Sequence, residues 1–102
     1  MRVLWLAVVA AMLVAAGCAT SSRWDAEYEK APEPVRTDWA LTKQRCSRCH
    51  SMERVFLQLE VDSDREDVLW TVEDMARKPG SGITSAEIAT ITDTLEWYRA
   101  RE

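Results

Sequence analysis

The string Cys46-Ser47-Arg48-Cys49-His50 constrains this chain more than any other stretch. Two intervening residues let a single turn of backbone present both thiols along one edge of a planar partner. His50, directly after Cys49, then points its imidazole beneath that plane. The same side chains serve other chemistries less well. A structural zinc site takes four ligands, and beyond the leader the chain offers only Cys46, Cys49 and His50 as soft donors. A thioredoxin-like pair opens a helix after a strand, and no strand-like run precedes Cys46. Zinc, a redox pair and a plain structural disulfide stay open here as lesser readings.

The leading reading is that C-x-x-C-H is the attachment signature of a c-type haem. Cys46 and Cys49 would add covalently to the two vinyl groups of one porphyrin, with His50 as proximal iron ligand. His50 is the only histidine, so the chain cannot supply a second imidazole. Of the methionines, Met1 and Met12 lie in the leader and Met52 follows His50 too closely to reach the opposite haem face. Met75 is left as the candidate distal ligand, against the alternative that it only fills the core. Lys78 is a weaker substitute, because its amine would have to lose a proton to coordinate.

The N-terminus has the layout of a secretory signal, with Met1-Arg2 followed by an uncharged, mostly apolar run from Val3 to Ala19. The run ends in Leu13-Val14-Ala15-Ala16-Gly17-Cys18, which resembles the lipobox of bacterial lipoproteins. That resemblance makes residues 1–17 a signal peptide and Cys18 the lipidated first residue of the mature chain. Ordinary cleavage nearby and an uncleaved anchor remain alternatives. Ala19, in place of Asp after the cysteine, implies by the same resemblance the outer membrane as destination. Every outcome puts Cys46 and Cys49 on the exported side, where bacteria complete haem attachment.

At 102 residues the chain is one small domain at most. Its 17 Asp and Glu outweigh 13 Lys and Arg, and losing Arg2 with the leader adds one more negative charge. Such a balance argues against nucleic acid or an acidic lipid surface as partner. Residues 18–36 read as a flexible tether, because they are polar and Pro32 and Pro34 oppose a helix through Val35. As a coil, Thr20 to Arg36 would span roughly 20–25 Å. Trp24 and Tyr28 read as an exposed or interfacial pair.

Residues 37–102 then form the folded part, too small to hold together without a staple such as a covalent cofactor. Thr37 or Asp38 is expected to cap a helix that delivers Cys46 at its end. Val55, Phe56, Leu57 and Leu59 follow as an apolar segment. Ser63-Asp64-Arg65-Glu66 and Thr84-Ser85-Ala86-Glu87 match capping boxes. The first opens a helix to about Lys78 with Val68, Leu69, Val72, Met75 and Ala76 on one face, and the second opens a helix striped by Ile88, Ile91, Leu95 and Tyr98. Pro79-Gly80-Ser81-Gly82 turns the chain between them. Trp70 and Trp97 read as core aromatics packed near the haem, not as electron wires. No strand pattern occurs, so the predicted fold is all-α, with three to four helices around the haem.

With these residues in place, residues 37–102 resemble the small monohaem cytochromes c, in which C-x-x-C-H ends an N-terminal helix, a later Met is the distal ligand, and a C-terminal helix crosses the first. The resemblance implies one covalent haem c with His50/Met75 ligation and a one-electron carrier, not an enzyme, serving redox partner proteins in the periplasm or membrane. Many such cytochromes orient the proximal imidazole with the carbonyl of a nearby proline; here none follows His50 before Pro79. Two other functions remain: a carbon monoxide or nitric oxide sensor with an open sixth site, and an electron-transfer subunit of a periplasmic oxidoreductase.

Overall fold

The computed structural model describes residues 23–101; the expected signal peptide (1–17) and the expected lipidation site Cys18 lie outside them. Five α-helices and no strands occur among the described residues: α1 (Arg23–Glu29), α2 (Glu33–Cys46), α3 (Met52–Val61), α4 (Arg65–Arg77) and α5 (Ser85–Arg99). The all-α expectation therefore holds. α5 is the central element, with α2 and α4 packed along it and α3 against its side. Ile91, Thr92, Thr94 and Leu95 are the buried face that α5 gives to both neighbours.

The expected tether is corrected from residue 23 onward. α1 and the start of α2 occupy that stretch, and Trp24 and Tyr28 are buried instead of exposed. Spaced four apart, the two rings share one helical face. Trp24 stacks on Phe56 at 4.5 Å and Tyr28 on Trp39 at 4.1 Å between ring centroids. Tyr28 also lies 5.2 Å from Trp97, and its hydroxyl donates to the Thr94 carbonyl oxygen at 2.9 Å, so its one polar group is satisfied where no water reaches. Asp25 fastens the outer side of α1 by accepting from Trp39 Nε1 at 2.7 Å and Lys43 Nζ at 2.8 Å.

The prolines do not keep α2 from starting at Glu33. Pro32 is its N-cap and Pro34 lies within the first two helical positions, where a helix has no use for the missing N–H and the fixed φ is already helical. The first predicted capping box is displaced by one residue. Asp64, not Ser63, caps α4 by accepting from Asp67 N, while the Asp67 carboxylate accepts from Ser63 N. The box from Thr84 to Glu87 forms as predicted.

Between α4 and α5 the chain turns through Gly80 (φ 80°) and Gly82 (φ 69°), both left-handed. Gly80 faces open space, but a Cβ on Gly82 would run into the Arg48 guanidinium. The α4–α5 loop thus lies directly against the Cys46–His50 turn. Gly82→Ala combines a left-handed penalty of about 1–2 kcal/mol with eviction of Arg48. It is expected to lower the denaturation midpoint accordingly, whereas Gly80→Ala incurs the conformational cost alone.

Candidate functional site

Cys46 is the last residue of α2, and residues 47–50 form the turn into α3. Ser47 ends α2 by returning its backbone N–H and its hydroxyl to the Lys43 carbonyl. Cys46 is buried and Cys49 exposed, and the two are free thiols. Burial pushes the Cys46 thiol up to about 11, and its position at the negative end of the α2 dipole works in the same direction.

His50 Nδ1 lies 3.1 Å from the Ser51 carbonyl oxygen. A carbonyl only accepts, so this contact assigns the ring proton to Nδ1 and leaves the Nε2 lone pair free for a metal. The carbonyl of Ser51, the N-cap of α3, thereby holds the imidazole in this orientation.

These residues border a cleft of about 440 Å³, within the usual range for cofactor sites. Cys46, Cys49 and His50 border it from the α2–α3 turn, Arg54 and Gln58 from α3, Trp70, Thr71, Asp74 and Met75 from α4, and Lys78, Ser81 and Ile83 from the following loop. All four residues predicted to hold haem thus meet at one cleft. Met75 also borders a small apolar gap with Val72 and Leu95, so it joins the core to the cleft.

Trp70 differs from expectation. It is 64% exposed at the cleft instead of buried in the core, because Val68 and Val72 take the inward face of α4 and Trp70 lies about 200° around the helix from each. Trp97 is half-buried. Sequence reading missed Arg54, Gln58 and Thr71 as cleft residues. Their i, i+4 spacing, and that of Thr71 with Met75, marks one helical face, but polar residues at that spacing are indistinguishable from a solvated surface.

Arg45, also at the cleft, is held by Glu87 on α5: its Nε lies 3.2 Å from both carboxylate oxygens and its Nη2 donates to Oε2 at 2.9 Å. The Arg45 hydrogen bonds, followed by the Thr84 N–H, lower the Glu87 pKa to about 2. An unfolded glutamate titrates near 4.3. The pair's stabilisation is therefore complete above about pH 4.3 and is lost as pH falls toward 2. The urea midpoint should drop across that interval, and Glu87→Gln should flatten the drop.

The donor set at the cleft would fit a haem: two thiols and a free Nε2 border it from one turn and a thioether sulfur from another helix, with Ile83 and Trp70 as apolar lining and Arg54 and Lys78 as cationic lining. No protein-family model, no curated protein and no solved structure matches the chain.

Proposed function

We propose that the protein is a one-electron carrier with a single haem c attached at Cys46 and Cys49, ligated by His50 and Met75, and anchored through Cys18 on the exported side of a bacterial membrane. The observation that carries this reading is that Met75, the only candidate distal ligand left by elimination, borders the same cleft as the C-x-x-C-H turn. When bound, the haem supplies an iron that changes oxidation state by one electron, at a potential raised by His/Met ligation. The chain's own residues hold, orient and shield it. Cys46 and Cys49 fix one edge, Ser51 holds the His50 ring, and Met75 is held by α4, which α5 buttresses.

The state of Cys46 weighs against a thiol-redox role. Reactive cysteines sit at helix N-termini or beside cations that stabilise thiolate. Cys46 sits at a helix C-terminus, buried and with a raised pKa.

The test is the absorption spectrum of the exported protein, oxidised and reduced, with and without carbon monoxide, after acid-acetone extraction. Haem that resists extraction, a ferric sulfur-to-iron band and indifference to carbon monoxide are expected. Retained haem that binds carbon monoxide readily would favour a gas sensor instead. No retained haem in a maturation-competent strain would overturn the haem reading altogether.

A further inference from the structure

The side from which an electron partner reaches the cleft follows from where α1 sits. Tyr28 is fully buried and bonded to α5 across 66 positions of sequence, so α1 from Arg23 is part of the packed domain. Only residues 19–22 separate it from Cys18. Even fully extended, the chain from Cys18 to Arg23 reaches about 18 Å at most.

α3 stands between Arg23 and the cleft. Phe56 and Glu60 border a crevice with Arg23, Trp24 and Tyr98, while Arg54 and Gln58 border the cleft. The two pairs are offset by two residues, about 200° around a helix of 3.6 residues per turn. They occupy opposite faces of α3, so the cleft lies across that helix from the point where the chain leaves toward Cys18.

We propose that the anchored protein lies with its Arg23 side toward the bilayer and its Cys46–His50 cleft toward water, so that its electron partner docks from the aqueous phase and is not embedded in the same bilayer. The proposal rests on the reading of Cys18 as the acylated residue. Turning the cleft to the bilayer would put Arg23 on the far side of a domain about 30 Å across, beyond the reach of its leash. The side chains near Arg23 suit a headgroup region, where aromatic rings and long cationic side chains with apolar stems settle. Arg23 lies over the Trp24 ring at 4.7 Å and Arg101 over the Trp97 ring at 4.4 Å. Glu27, on the same side, is ion-paired to Lys30 and Arg101.

The test is hydroxyl-radical footprinting of the full-length, haem-loaded protein in vesicles of phosphatidylethanolamine and phosphatidylglycerol, read by mass spectrometry. The same protein carrying Cys18→Ser and exported behind an ordinary cleavable signal in place of residues 1–17 is the unanchored reference. Oxidation of Tyr98 should fall severalfold in the vesicle-bound protein while that of Trp70 stays within twofold of the reference. A flexible insert of about 30 Gly and Ser residues after Ser22, long enough as a coil to span the domain, should abolish the protection of Tyr98. Protection of Trp70, equal oxidation at both sites, or protection that survives the insert would overturn the orientation alone. An intact protein mass without acyl chains at Cys18 would overturn the anchor and the orientation with it.

Discussion

Tyr28→Ala is expected to destabilise the domain by about 3–5 kcal/mol, the range for truncating a large buried aromatic. That is a large share of the 5–15 kcal/mol by which domains are usually stable. Tyr28 is fully buried, stacks on Trp39, lies against Trp97 and Tyr98, and caps the cluster with its bond to Thr94. Its loss empties the point where α1, α2 and α5 converge. Tyr28→Phe keeps the ring and removes only the hydroxyl, and should cost about 1 kcal/mol. The Thr94 carbonyl it leaves is a helical one, so the variant separates the packing of the ring from its single hydrogen bond. Urea denaturation of the two variants checks both magnitudes. A wild-type midpoint for Tyr28→Ala would show that α1 is no part of the folded unit and would return residues 23–36 to a tether.

On the proposed haem reading, Met75→Leu is expected to have the largest effect on the cofactor. Leu nearly conserves the volume of Met, a kind of core exchange that usually costs less than about 1.5 kcal/mol. The packing against Val72 and Leu95 therefore survives while the sulfur is removed. The variant should retain covalent haem, lose the ferric sulfur-to-iron absorption band, and bind carbon monoxide where the wild type does not. Its reduction potential should also fall, because thioether ligation is what raises it. An unchanged spectrum would show that Met75 only fills the core. Met75→Ala is the poorer test, since its cavity costs about 2–5 kcal/mol and confounds ligation with unfolding.

The motif and the helical class were legible in the sequence because each depends on local spacing. C-x-x-C-H carries its chemistry within one turn of chain. The box from Thr84 to Glu87 forms from residues three apart, and the apolar stripes of α4 and α5 are read at helical period. Elimination among four methionines pointed to Met75 without any knowledge of distance. The neighbouring box slipped by one residue because Asp64 and Ser63 are both good caps, and the Asp64 side chain takes the Asp67 N–H.

Tertiary structure alone decided the rest. A seven-residue helix such as α1 is too short to be stable by propensity, and two aromatics four apart announce no partner. Its partners, Trp39, Phe56, Thr94, Trp97 and Tyr98, are scattered over the remaining chain, and only their convergence in space buries Trp24 and Tyr28. The orienting carbonyl of Ser51 was equally invisible, because it is a backbone atom aimed by the start of α3 and not by its own side chain. Trp70 shows the same limit from the other side. Hydrophobicity predicts a core residue, but the valines at 68 and 72 fill the inward face of α4, and the rotation of that helix against α5 leaves the indole at the cleft.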